Sequence, residues 1–529
     1  MKVLDSQPDG WPGKITVRPP LYSSSSLVSL RFAYCILIAT EISAVSQLFG
    51  FEFTTDYLRE FNYPQAILGW RFGQETSADV WVAIFLVVVL LINLLPVRVY
   101  GELEYIFGSF KMILIVGLIL FNVIINVKNA QDGRTTGSFA TYQAPYGFFS
   151  SNVTVTTASE AYLYTGDTGR LIGMWSAMNT IFFSLQGFFT VSITAAENKH
   201  LDRDEGIKLA TRKIALRVIL LYSLLVFTVG LNVPYTDYNL RDSSINSIRK
   251  GQNSPFILAM IHSGVTGWPN FINAFFIFSA FSTAVNGLYI SSRLLHALAN
   301  IRNVWPETKW AYSIKRRLER TSSHGVPVPA VFVSWLFGFL GFLGAQPSPA
   351  KILGRMAIYS TCSMLIVYIC VCLSFLSFKS RTIDGDPTDE VVLATPNGTV
   401  LNRNASDYPY RSHLQWARAA YGLAGCGLLL FFNGWRSFLH PFSTADFLAS
   451  YFNVPVFVII VTAYHIKDEG EWNPLRWTRR VTMDIRNPTV TREKNVELRK
   501  GRLHRANREK FFCKENALKY LEFVWAWLK

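Results

Sequence analysis

Residues 182–198 read FFSLQGFFTVSITAAEN: an apolar run that nevertheless carries two serines, two threonines, a glutamine and a glycine, and ends on a carboxylate and an asparagine. Scattered Ser and Thr in a buried helix bond to their own preceding turn. Gln186-Gly187 is different, because glycine lowers the cost of unwinding and an amide at that depth needs a partner that lipid does not supply. Two readings follow. A helix break here frees backbone groups to hold the charged ends of a substrate, with half-helix dipoles favouring a carboxylate. Alternatively the segment is a polar seam between helices, with Gly187 as a close-packing residue.

A second polar stretch, 254–299, carries Asn273, Ser279, Ser282, Thr283, Asn286, Ser291 and Ser292 at mixed spacing. Two polar-lined helices exceed what packing requires, which tips the balance towards a binding site. Ala280, Ala284 and Gly287 on the same stretch also permit close helix contact.

Ionisable groups add to this. Glu41 sits in the middle of RFAYCILIATEISAVSQLF (31–49), where a carboxylate must be protonated, paired or turned to water. Glu102 and Glu104 open the third apolar segment, a place that suits acidic residues through the helix dipole. Lys111, about two turns further, either snorkels to the interface or supplies a proton-linked or cation-mimicking group. His262, His296 and His465 lie on separate elements without a matching acidic or metal motif, which argues against an enzyme. Cys35, Cys362, Cys370, Cys372 and Cys426 lie in apolar segments and Cys513 in the tail, a distribution that is neither a disulfide framework nor a zinc site. No metal or cofactor is expected.

The elements that must hold these groups are membrane helices. The chain has 529 residues, 50% hydrophobic and only 16% charged, with a mean hydropathy of +0.23. Apolar runs near the ~20 residues needed to cross a bilayer recur at 27–50, 79–96, 104–127, 173–194, 214–233, 268–298, 328–345, 352–377, 417–435 and 446–466. The fold class is therefore all-α, a polytopic membrane protein with about ten transmembrane helices. The domain reading is an N-terminal cytoplasmic segment 1–26 without a signal peptide, a transmembrane domain 27–466, and a basic cytoplasmic tail 467–529.

The formal charge of +15 is not arranged as a nucleic-acid face. Its basic residues cluster in connections and the tail, the pattern of the positive-inside bias, with lipid head-group contact as the other reading. Segments 199–213 and 291–320 are basic and face the cytoplasm, whereas 135–169 has neither Lys nor Arg and faces out. Ten spans place both termini in the cytoplasm. The sequon at Asn152 then lies on the side where glycosylation is possible, and those at Asn397 and Asn404 lie inside as chance matches. The terminal LEFVWAWLK (521–529) is either part of a solvated tail with one short amphipathic helix or a docking element.

Several ordered stretches resemble the fungal amino acid permeases of the amino acid/polyamine/organocation superfamily over about 31–470. They are VWVAIFLVVVLLIN (80–93), RVYGELEYIFGSFK (98–111), FFSLQGFFTVSITAAEN (182–198), INAFFIFSAFSTAVNGLYISSRLLHALA (272–299), GVPVPA (325–330) and NGWRSFLHPFSTADFLASYFNVPVF (433–457). The resemblance implies a leucine-transporter-like permease fold of two five-helix inverted repeats. Substrate would lie between the broken first and sixth of twelve helices. Aligned so, this chain starts at the third helix with Glu41 on the family's acidic residue, and is expected to be N-terminally incomplete. It departs from the family where G-T-E becomes Gly187-Phe188-Phe189, where A-G-E-x-x-N-P becomes Ala195-Ala196-Glu197-Asn198-Lys199-His200, and where S-A-G-N-S becomes Ser282-Thr283-Ala284-Val285-Asn286. Residues 51–78 form a longer external connection than the family's.

The implied activity is secondary active amino acid uptake by alternating access, proton-coupled as symport, in the plasma membrane. Its partners would be an amino acid, protons and the bilayer. The implied site sets the amino acid against Phe183, Ser184, Gln186 and Gly187, with Ser279, Ser282, Thr283 and Asn286 in the pocket or its flank. Glu41 and Lys111 would serve proton coupling, and Glu197 would brace a cytoplasmic gate against the basic 199–217. The alternatives are a non-transporting truncated permease fragment and a structural or regulatory membrane subunit.

Overall fold

The computed structural model describes residues 15–17, 22–187 except 54, 66, 134–135, 144–145 and 157–160, then 190, 193, 214, 218–237, 240, 254–301, 305, 308–345, 349–383, 414–469 and 483–485. Helices carry most of them: α1 (Tyr22–Phe49), α2 (Thr55–Glu60), α3 (Arg71–Glu75), α4 (Ala78–Asn93), α5 (Val97–Gln131), α6 (Gly166–Ser184), α7 (Ser223–Gly230), α8 (Pro255–His262), α9 (Trp268–Asn300), α10 (Lys309–Leu318), α11 (Val328–Trp335), α12 (Pro349–Ile383), α13 (Gln415–Phe431), α14 (Thr444–Tyr451) and α15 (Asn453–Glu469). Short antiparallel pairs complete the order. They are β1 (Ile15–Val17) with β6 (Met483–Ile485), β2 (Glu52–Phe53) with β3 (Leu68–Gly69), and β4 (Val153–Thr156) with β5 (Ala161–Tyr164). The chain divides into two compact units, 25–367 with 426–462, and 1–24 with 368–425 and 463–529.

Each of the ten apolar segments carries helix, although the helices differ in kind. Among the described residues, four are long and apolar enough to cross a membrane by themselves: Ser25–Phe49, α5, α9 and Lys351–Leu376. The pair α14 and α15, bent by 42°, makes a fifth. Others are shorter because their geometry changes midway. A π-helical turn, Val218–Tyr222, leads into α7, and α11 continues as a 3₁₀ stretch, Leu336–Ala345. Because a 3₁₀ helix rises faster per residue than an α-helix, α11 and that stretch together extend about 30 Å, the thickness of a hydrocarbon core.

Helix α4 shows why these elements belong in lipid. Val82, Leu86, Val89 and Asn93 recur at helical spacing and are buried, yet Val80, Ile84, Val87 and Leu91 repeat the same spacing on the opposite face at 45%, 45%, 50% and 59% exposure. A helix apolar on both faces has no water-facing side. Proline opens α8, α9 and α11 within the first turn, where its missing N–H would be unpaired anyway.

The 3₁₀ stretch LFGFLGFLGA has a sequence reason. Its period is three, and glycine occupies every third position, Gly338, Gly341 and Gly344. That glycine edge lies against α1 and α4: Gly338 on Leu86 and Ile38, Gly341 on Ala39, Ile42 and Val82, and Gly344 on Ser43.

The 51–78 connection is itself a packed layer. Phe51, Phe53, Tyr57, Leu58 and Leu68 form one core with Ile257, Leu258, Met260 and Ile261 of α8 and with Leu118 and Ile125 of α5. Inside it the Tyr57 hydroxyl donates to Asp237 Oδ2 at 3.0 Å and lies 3.0 Å from His262 Nε2, which is itself 3.0 Å from Asp237 Oδ2. Phe61 stacks on the His262 ring at 4.0 Å. His262 thus has an acidic partner that the sequence pattern did not reveal. Asn122, Asn126 and Asn129, one stripe of α5, bond Asn232, Leu231 and Ser263 in the neighbouring turns.

Two outcomes test this packing. Gly344→Val places branched carbons on Ser43 and should lower stability by about 1–3 kcal/mol, read as a lower thermal midpoint in detergent; an unchanged midpoint would contradict the close approach. Asp237→Asn removes a charged acceptor from two buried groups and should destabilise by about 1–3 kcal/mol, whereas substitution of the exposed Glu75 should be neutral.

Candidate functional site

The α6 helix stops at Ser184, inside the polar stretch. Leu185 still bonds back to Ile181 and Phe182, but Gly187 takes φ +116°, a region that side-chain-bearing residues rarely adopt. Thr190 N–H then donates to the Gly187 carbonyl at 3.0 Å. Helices α1 and α12 converge on this break. Ser360 Oγ of α12 donates to Gln186 Oε1 at 3.0 Å and lies 3.3 Å from the Ala33 carbonyl of α1. The Tyr34 hydroxyl of α1 is 3.3 Å from Thr190 Oγ1. The Gln186 Nε2 group is buried and has no hydrogen-bond partner among the described residues. Phe183 and Ser184 form the last turn of α6 beside it.

The second polar stretch meets a different partner. Tyr100, Glu104, Phe107 and Lys111 form one stripe of α5, and it faces α9 in antiparallel sense. Tyr100 stacks on Tyr289 with centroids 4.1 Å apart, Asn286 Nδ2 donates to Glu104 Oε1 at 3.0 Å, and Lys111 Nζ donates to Thr283 Oγ1 at 3.2 Å. Phe107 meets Phe278 edge-on at 5.2 Å. The Tyr100 hydroxyl reaches Glu104 Oε2 at 3.5 Å, and Arg293 sits 4.6 Å over the Tyr289 ring. Glu41, on α1, lies within electrostatic range of Lys111, as does Glu104. Glu41 and Glu104 thus lie near Lys111 inside an apolar bundle.

The structure sorts the sequence candidates. Thr283 and Asn286 reach across to α5, whereas Ser282 Oγ bonds the Ser279 carbonyl of its own helix at 3.0 Å, and Thr283 Oγ1 bonds that same carbonyl at 2.9 Å. Ser291 and Ser292 likewise bond back to Leu288 and Tyr289. Glu41 and Lys111 come together, and α1 links them to the break, since Tyr34 and Glu41 are about 10 Å apart along its axis. Asn152 is exposed just before β4. Glu197 and the basic 199–213 lie outside the described residues. Glu104, Tyr34 and Ser360 were missed. For Glu104 the signal was present in the spacing 100, 104, 107, 111, but the helix-dipole argument considered only its own helix. Tyr34 and Ser360 carry no local signal at all.

The geometry combines a broken polar helix with a buried charge cluster. Among the described residues no group of three or more His, Cys, Asp or Glu is placed to hold a metal.

The amino acid permease family model matches residues 28–469. An uncharacterized amino-acid permease of Schizosaccharomyces pombe is 29% identical over 396 residues, covering 75% of this chain and 67% of that protein. The proline-specific permease of Emericella nidulans is 27% identical over 398 residues, covering 75% of this chain and 65% of that protein. An SPS-sensor component of Saccharomyces cerevisiae is 25% identical over 433 residues, covering 73% of this chain and 47% of that protein. The chain therefore spans about two thirds of the two permeases and about half of the sensor component. A match over most of the chain, together with membrane-length apolar helices, makes it an integral membrane protein that belongs to the amino acid permease family.

Proposed function

We propose that this chain moves an amino acid across a membrane by alternating access, with proton symport, and that the permease region is 27–466 between the flanking segments 1–26 and 467–529. The observation that carries the reading is the buried Gln186 Nε2 at a helix break, which has no hydrogen-bond partner among the described residues. A free donor at that depth is costly unless a ligand completes it. Its Nε2 suits a substrate carboxylate, while the C-terminal end of α6, at Phe183 and Ser184, carries the negative pole of the helix and suits an ammonium. Gly187 lets the backbone turn away so that both ends can be held. Thr283 and Asn286, with Ser279 and Ser282, belong to the flank of the pocket.

The charge cluster supplies the coupling. Two carboxylates share one ammonium, so one proton can enter or leave while Lys111 stays compensated. Protonation of Glu41 would loosen α1 from Lys111, while Lys111 keeps its contacts to Glu104 and Thr283. Helix α1 could then shift against the α5 and α9 pair. In this reading Glu197 braces the cytoplasmic gate, Asn152 is glycosylated on the outer face, and the protein sits in the plasma membrane with both termini inside. Family membership among transporters argues against an enzyme.

A second reading is favoured by the sensor relative: the chain binds an amino acid without moving it, as a regulatory subunit. Uptake of a panel of radiolabelled amino acids by permease-deficient yeast separates the two. Transport is expected for at least one amino acid. Gln186→Ala, at equal surface expression, should reduce it about ten- to a hundredfold, the size expected for one hydrogen bond to a charged group. Unchanged uptake kinetics would remove Gln186 from the site. Saturable binding to the purified chain without uptake would favour the sensor reading, and the absence of both would overturn both readings.

A further inference from the structure

Helix α10 has three stripes of different chemistry. Ala311, Lys315 and Leu318 recur at helical spacing on the face that packs inward, with Ala311 0% and Leu318 4% exposed. Opposite them run Lys309, Ser313 and Arg316, with Arg320 just past the helix end, all exposed. On the flank between lie Trp310, Ile314 and Arg317, with Trp310 65% and Ile314 40% exposed. Lys315 pairs with Glu319 at 3.7 Å, but among the described residues no carboxylate is paired with Lys309, Arg316, Arg317 or Arg320.

The position of this helix is fixed by its packing. Leu318 shares a small core with Leu295 and Ala299 of α9 and Ala330 of α11. His296 Nδ1 lies 2.9 Å from the Leu318 carbonyl, and Trp305 Nε1 donates to the Leu298 carbonyl at 3.0 Å. These are the last turns of α9, a membrane-length helix, and the first turn of α11. Helix α10 therefore lies where the apolar spans end, the depth at which hydrocarbon gives way to head groups.

We propose that α10 binds anionic phospholipid. Its cation row meets phosphate and carboxylate groups of the head-group layer, while Trp310 and Ile314 enter the boundary with the acyl chains and the Arg317 stem lies along it. Tryptophan prefers this interface, and long cationic side chains reach from apolar surface to charged head groups. Charge complementarity favours a leaflet rich in phosphatidylserine over a zwitterionic one, each cation near the surface adding to the attraction. The proposal rests on the cytoplasmic placement of this connection, but not on transport.

The full chain, purified in a neutral detergent, is titrated with phosphatidylserine or phosphatidylcholine, and bound lipid is counted by native mass spectrometry. Phosphatidylserine should bind at least tenfold more tightly than phosphatidylcholine. Arg316→Gln with Arg317→Gln and Arg320→Gln should abolish that preference. Arg59→Gln with Arg71→Gln and Arg170→Gln, the same loss of charge from exposed sites elsewhere, should keep it. A single Arg317→Gln should weaken it partially, which leaves a test if the triple variant does not fold. An equal loss in both triple variants would mean bulk charge alone, and no loss in the α10 variant would place the lipid elsewhere; either overturns the proposal.

Discussion

The constraint on which the rest depends is the neutralisation of charge inside an apolar bundle. Lys111 sits about four turns into a membrane-length helix, and an ammonium there is tolerated only beside carboxylates and hydrogen-bond acceptors. Glu41 must come from α1, Glu104 from α5 itself, and Thr283 from α9. Those demands bring three helices of very different sequence position to one place. The Tyr100 and Tyr289 stack and the Asn286 bond to Glu104 then continue the same seam towards the start of α5. A seam held by polar contacts can be rearranged at lower cost than one held by close-packed branched side chains, which is what a moving transporter needs.

The opposite end of α5 is built differently. There the Asn122, Asn126 and Asn129 stripe bonds backbone and side chains of neighbouring turns, and Tyr57, Asp237 and His262 close a buried triad within an aromatic and aliphatic core. Tyr57 ties the 51–78 connection to α8 through His262, Asn129 ties the end of α8 to α5 through Ser263, and Asn122 and Asn126 tie the turn after α7 to α5. The glycine edge of the 3₁₀ stretch adds a second tight contact on α1 and α4. One end of α5 is thus fastened by buried polar contacts while the other carries Glu104 and Lys111.

Much of this was legible in the sequence for a physical reason. Hydrocarbon requires long apolar segments, so the ten segments are found by hydropathy alone, and the Gln186-Gly187 dipeptide is conspicuous because lipid offers an amide no partner. What escaped depended on neighbours that spacing does not name. Glu104 looked like a dipole residue because its partner Asn286 is 182 positions away. His262 looked isolated because Asp237 lies outside any helix. The period-three glycines were overlooked because the segment was read for apolar length alone, although Gly338, Gly341 and Gly344 mark a 3₁₀ helix once that period is sought. Family resemblance added the expected fold and substrate class, but it could not place Ser360 against Gln186.

The central proposal is that the Glu41, Lys111 and Glu104 cluster links proton movement to amino acid movement. The most direct test is to reconstitute the purified chain into liposomes, add its amino acid outside, and record external pH with a dye together with labelled uptake. Coupling predicts alkalinisation outside in fixed proportion to uptake, lost in Lys111→Gln even where exchange of labelled for unlabelled amino acid continues. Uptake that ignores an imposed proton gradient, or full coupling in Lys111→Gln, would contradict it.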